Sequence, residues 1–176
     1  MWNFLLEFIK HPKEVWTFLP CFDSLVKNVI ANIDFSKDLR IIEYWPGNWN
    51  FSKRLLENMS YNSELISFEL NKDFCDNIEI KDDRFSLIND SAENVMDYID
   101  EKVDVVLSWV PLAAVPENIR KKVIDTSYNI LKDNWLFLQY QYFSFAYKDL
   151  KIKFENLRKY RVLNHLPPAI YYLWNK

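Results

Sequence analysis

Glu43, Glu69 and Asp90 each close a short apolar run in a chain of 176 residues, and the first opens onto the turn Tyr44-Trp-Pro-Gly-Asn-Trp49. A carboxylate at the end of a second strand, roughly 20 residues after a tight strand-to-helix turn, can accept hydrogen bonds from both hydroxyls of a ribose. Asp90, in Ile88-Asn-Asp-Ser-Ala92, follows the third run and can accept from an adenine amino group. Each residue also has a plainer role. Glu69 can be a solvated or paired carboxylate, Asp90 a helix N-cap, and the turn an ordinary loop. Taken together, at three successive strand ends, they favour a site for an adenosine-bearing cofactor, with Glu43, Trp45, Gly47, Trp49, Glu69 and Asp90 as its candidate contacts.

The turn carries an oddity. A backbone that must adopt positive φ and admit ligand atoms close to its amides calls for glycine, yet only Gly47 is glycine here and tryptophan flanks it at 45 and 49. The whole chain has one glycine and seven tryptophans, where about a dozen glycines would be ordinary.

The elements that must position these residues follow from the hydrophobic pattern. Strands are expected at Leu39–Tyr44, Glu64–Glu69, Arg84–Ile88, Val103–Ser108 and Trp135–Tyr142, with a closing antiparallel pair at Tyr160–Asn164 and Ala169–Trp174. Helical spacing fills the intervals: Phe51–Met59, Lys72–Ile78, Ser91–Ile99, a helix opened by Pro116, and Lys148–Leu157. Alternation of this kind requires crossover units and a mainly parallel sheet covered on both faces. The expected fold class is therefore α/β, a Rossmann-like, seven-stranded, mostly parallel sheet with helices on both faces and a C-terminal antiparallel hairpin. Residues 1–176 form one domain, in which 1–36 is a helical lid segment, with helices near Trp2–Lys10 and Asp23–Ile33, and 37–176 is the core. Ligands of such sheets sit at the carboxyl ends of the strands, which adds Ser108 to Pro111 to the candidate site.

Composition narrows the function classes. Hydrophobic residues make up 49% and the net charge is −3, a poor match to a strongly electrostatic nucleic-acid binder. Between Lys148 and Arg161, however, six basic residues face only Asp149 and Glu155. That stretch suits either a solvated helix face or contact with anionic lipid or nucleic acid. Cys21 and Cys75 lack metal-ligand spacing, so neither a disulfide framework nor a metal site is expected and a reducing cytoplasm fits. No apolar run approaches the roughly 20 residues a membrane crossing needs.

The motifs together resemble those of class I S-adenosylmethionine-dependent methyltransferases, and within them the bacterial phospholipid N-methyltransferase group, itself similar to rRNA adenine dimethylases. The resemblance runs through Lys10–Pro20, Ile42–Trp49, Phe68-Glu69, Asn89-Asp90, Leu107-Ser-Trp-Val-Pro-Leu112, Asn134–Tyr140 and His165-Leu-Pro-Pro-Ala169. It implies S-adenosylmethionine as cofactor, a Ser108–Leu112 loop beside the transferred methyl with Ser108 and Pro111 at the reaction centre, and an acceptor pocket lined by Tyr140, Tyr142 and His165. It further implies a phosphatidylethanolamine-type head group as acceptor, and a cytoplasmic protein peripheral on the inner membrane face. Methylation of RNA adenine at N6 is the second enzymatic reading. A cofactor-less scaffold is the third, should the tryptophans at 45 and 49 be genuine. The family pattern has glycine where Trp16, Trp45, Trp49, Trp109 and Trp135 stand, a Ser-Ser pair at Cys21-Phe22 and Asn at His165. Substitution of the smallest residue by the largest at five such places suggests UGA codons meant as glycine and translated as tryptophan.

Overall fold

The computed structural model describes residues 22–47, 49–142, 144–162 and 169–175, without the side chains of 22–25 and 134. The expected helix at 2–10, Trp16 and His165 lie outside them. The first described element is helix α1 (Phe22–Ile30), followed by strand β1 (Arg40–Tyr44) and helix α2 (Asn50–Asn58). Then come β2 (Glu64–Phe68), α3 (Lys72–Asp76), β3 (Phe85–Ile88), a 3-10 helix (Ala92–Asp97), β4 (Val103–Ser108), α4 (Glu117–Ile130), β5 (Leu131–Gln141), α5 (Tyr147–Lys153), β6 (Arg158–Val162) and β7 (Ala169–Asn175).

The seven strands form one sheet in the order β3-β2-β1-β4-β5-β7-β6, with β7 antiparallel to both its neighbours and the remaining pairs parallel. Consecutive apolar residues in the central strands reflect burial on both faces. In β1, Ile41 packs with Val29, Phe51 and Leu55 on one face, whereas its neighbour Ile42 packs with Val106, Val123 and Phe137 on the other. The chain leaves β1 toward β2 and later crosses back to place β4 on its other side. The direction of winding therefore reverses between β1 and β4, and a crevice opens at their carboxyl ends.

Some boundaries depart from expectation for local reasons. The helix expected at Ser91–Ile99 is a 3-10 helix, and Ser91 makes no side-chain cap; the Asp90 carboxylate accepts from the Ser91 amide instead. β5 starts directly after α4, at Leu131 rather than Trp135. Val103 pairs with Leu131 but Val105 with Leu136, so the segment around Asn134-Trp135 bulges out of the ladder. Lys132 is held there by Asp104, at 2.7 Å. α5 stops at Lys153, and Asn156 turns the chain at φ 59° so that β6 begins at Arg158.

Arg84 secures the far end of α2. Its guanidinium donates to the carbonyls of Leu56, Met59 and Ser60 at 2.9, 2.7 and 3.2 Å, which the end of a helix otherwise leaves without partners. Asp82 grips the same guanidinium at 2.6 Å, and that bond lowers the Asp82 carboxyl to about 2. Replacing Arg84 by Met is expected to destabilise the fold by about 2 to 3 kcal/mol in urea titration, since charged hydrogen bonds to carbonyls at a half-buried site are lost together.

Candidate functional site at the end of β1

The turn from β1 into α2 is built from left-handed backbone. Trp45, Gly47 and Trp49 have φ of 61°, 64° and 64°, and among the described residues the one other non-glycine at positive φ is Asn156. A Cβ in this region crowds the following carbonyl, at a cost of about 1 to 2 kcal/mol. Tryptophan thus occupies two positions whose conformation is that of glycine, as the glycine reading of the sequence expects. The turn is held at its start by the Trp45 amide donating to the Phe68 carbonyl at 2.8 Å.

The two indoles go separate ways. Trp49 is buried in the core, edge-on to Phe85 at 6.1 Å. Trp45 instead walls a cavity of about 170 Å³ lined also by Phe68, Asp90, Val110, Pro111 and Ile119. This slot is apolar across its faces with a carboxylate at its rim, which suits a flat ring with a polar edge. Asp90 takes hydrogen bonds from the Tyr98 hydroxyl at 2.8 Å, the Ser91 amide and the Asn94 amide, and these keep its carboxyl below the usual range.

Glu69 is fully buried beside the slot. Its Oε1 accepts from the Asn71 amide at 2.8 Å, while Oε2 completes no hydrogen bond. Burial raises this carboxyl to about 7, and the Asn71 and Gly47 amides and the Trp45 indole, which face it, pull it only part of the way back. A buried acceptor with an unused oxygen awaits a donor. Glu43 offers the contrast. It too is raised to about 7 by burial, but Ser52, Ser67 and the Trp109 indole all donate to it, at 2.6, 3.1 and 3.2 Å. Its carboxylate is used up inside the sheet and does not line the slot.

The Ser108–Leu112 loop leaves β4 over the same crevice. Trp109 turns into the core between Phe51 and Tyr140, while Val110 and Pro111 face the slot. Ser108 is 1% exposed and its hydroxyl has no partner. Two glutamines that sequence reading passed over fix the loop: Gln139 Nε2 donates to the Ser108 and Val110 carbonyls at 3.1 and 3.0 Å, and Gln141 Nε2 to Val110 at 2.7 Å. Their signal was two amides, two residues apart, on one face of an otherwise apolar strand. Tyr142 is half-buried with its ring edge-on to Tyr140 at 5.3 Å, and neither tyrosine lines the slot. The structure therefore gathers Trp45, Gly47, Glu69, Asp90 and Pro111 around one crevice, with Ser108 beneath the loop above it. Glu43, Trp49 and Tyr142 lie in the packing around it.

No protein-family model and no curated protein sequence matches the chain. Solved structures share its fold. N-methyltransferase NodS from Bradyrhizobium japonicum WM9, in complex with S-adenosyl-l-homocysteine, matches with a TM-score of 0.70 at 9% identity over 89% of this chain and 88% of its own. Precorrin-6y C5,15-methyltransferase from Geobacter metallireducens GS-15 gives 0.67 at 13% identity, over 86% and 88%. An rRNA methylase from Streptococcus thermophilus gives 0.61 at 16%, over 79% and 87%. At these identities the likeness establishes the fold, which is the Rossmann-like methyltransferase fold.

The strain at the turn can be read by comparing two small residues in one place. Trp45→Gly is expected to be more stable than Trp45→Ala by about 1 kcal/mol in thermal or urea unfolding, with the same order at position 49. At the exposed helical position Lys53 the order reverses, with alanine ahead. Alanine equal to glycine at both turn positions would refute a left-handed turn.

Proposed function

We propose that the chain is an S-adenosylmethionine-dependent N-methyltransferase whose acceptor is the amine of a phosphatidylethanolamine-type phospholipid. The observation that carries the cofactor reading is Glu69, a fully buried carboxylate with an unused oxygen next to an apolar slot at the reversal of winding. A ribose diol supplies the missing donors, Asp90 stands at the rim for an adenine amino group, and Val110, Pro111 and Ile119 sandwich the ring. The polar groups fit the cofactor. The room does not yet fit all of it, since about 170 Å³ falls short of the roughly 300 Å³ at which small-molecule sites begin. Trp45 is the wall on the side of Glu69, which its indole faces. With glycine at 45 the slot extends along the turn toward Glu69, and for this reason we take glycine as the residue of the working protein at 45 and 49.

The cofactor, when bound, supplies an electrophilic methyl group on a sulfonium, and transfer is an in-line displacement in which the chain's part is mainly positioning. The Val110 carbonyl already accepts from both Gln139 and Gln141, and the Ser108 carbonyl from Gln139. The Ser108 hydroxyl is then the polar group of this loop left to receive an N–H of the acceptor amine. Tyr142 and His165 are assigned to the acceptor side on the resemblance alone. Against the RNA adenine reading, Leu112 is fully buried where a flipped base needs an exposed aromatic to stack on.

Calorimetry with S-adenosylhomocysteine tests the cofactor reading. The Trp45→Gly, Trp49→Gly double variant is expected to bind and the chain as written to bind far more weakly; no binding by either would sink the proposal. Methyl incorporation by the double variant into lipid extract, and not into rRNA, is the expected acceptor result. Binding also carries a pH signature. Hydroxyl donors favour the charged form of Glu69, whose carboxyl lies near 7 in the free protein, so affinity is expected to rise as pH increases through about 7 and to become flat in Glu69→Gln. Stability of the free protein runs the opposite way. A carboxyl raised on folding is favourable below its unfolded value of about 4.3, and that contribution is lost as pH climbs toward about 7.

A further inference from the structure

We propose that the outer face of α5 and the neighbouring edge strand β6 form a docking surface for an anionic lipid bilayer. The proposal rests on the phospholipid reading only for its choice of partner, and its observations are separate from the cofactor site. Lys148, Lys151, Lys159 and Arg161 are exposed on this face and make no ion pair with a described carboxylate. Among them stand apolar side chains turned to solvent: Ile152 is 76% exposed, and Phe145, just before the helix, 71%. Tyr147, Lys148, Lys151 and Ile152 line a shallow groove, and Lys159 lies over the Tyr147 ring at 5.4 Å.

Charge complementarity selects the occupant. The chain as a whole carries −3, yet this face is cationic: Asp149 is taken by Arg120 at 2.7 Å and Lys153 by Asp125 at 2.8 Å, so Glu155 is the one exposed carboxylate between 148 and 161 against four outward basic groups. Basic side chains with an aliphatic one between them suit a headgroup layer, where the ammoniums meet lipid phosphates and the apolar group enters the acyl boundary. A nucleic acid would be served by a row of aromatics open to stacking, but Tyr147 is stacked on Tyr172 and Tyr160 on Tyr171, which leaves Phe145 as the one strongly exposed aromatic of this face. The face also connects to the site. Asp149 of α5 holds Arg120, and Arg120 donates to the Leu112 carbonyl at 3.4 Å, so the docking helix is tied to the loop over the crevice.

Co-sedimentation of the chain as written with phosphatidylglycerol-containing vesicles tests this, with pure phosphatidylcholine vesicles and a single-stranded RNA oligonucleotide as the other arms. Binding to the anionic vesicles is expected, falling with salt, and at least about tenfold weaker in Lys148→Glu, Lys151→Glu. Ile152→Ser should weaken binding while leaving its salt dependence in place. Thermal melts confirm that these surface variants remain folded. Equal binding to both vesicle types, indifference to the charge reversal, or binding to RNA alone would each overturn the proposal. No arm requires the cofactor, so failure here leaves the calorimetric result with S-adenosylhomocysteine standing, and the reverse holds too.

Discussion

The structure depends on how the backbone leaves β1. Left-handed residues at 45, 47 and 49 reverse the chain within a few residues, and this sets where α2 lies against the sheet. Phe51 and Leu55, four apart on that helix, then reach the core, and the loops that follow β1 and β4 border the slot through Trp45, Val110 and Pro111. Helix packing and the position of Trp45 between the slot and the buried Glu69 therefore share one local cause.

Within that frame the two buried glutamates show how environment assigns roles to one residue type. Both lose the same favourable hydration and both are raised to about 7. Glu43 recovers part of what burial removes through two serine hydroxyls and an indole, and becomes part of the sheet's internal bracing. Glu69 completes one hydrogen bond, from the Asn71 amide to Oε1, and although the Gly47 amide and the Trp45 indole face it, Oε2 completes none. An unsatisfied carboxylate is tolerated at a binding site because a ligand makes up the deficit, whereas in the middle of a core it would be a defect.

The sequence reading succeeded where burial leaves a periodic trace. Val103–Ser108 was legible to the residue because it is apolar on both faces, and the order of strands and helices followed from alternation alone. The mostly parallel sheet and the closing antiparallel hairpin came with it, whereas the order of the strands across the sheet did not. What escaped was side-chain direction. Trp45 and Trp49 are the same letter two residues from the same glycine, yet one walls the slot and the other fills the core. Glu43 and Glu69 are likewise alike in sequence, and only the placement of Ser52, Ser67 and Trp109 separates them. Gln139 and Gln141 were hidden within a strand, since their partners are backbone carbonyls that no residue type announces. Asn134-Trp135 looked like the end of a loop because a bulge and a turn draw on similar residues.

The Arg84 clamp gives α2 the mechanics of a beam fixed at one end. A nine-residue helix spans about 13 Å, with the guanidinium gripping its last carbonyls and the left-handed turn forming its other support. Bulk added at the turn is divided between two places: the Trp45 indole lies along the slot, and the Trp49 indole packs edge-on to Phe85 of β3. A chain with indoles in place of hydrogens at this support can accordingly retain the whole architecture while the aperture beside Glu69 narrows, so that fold and ligand access become separately adjustable properties of a single joint.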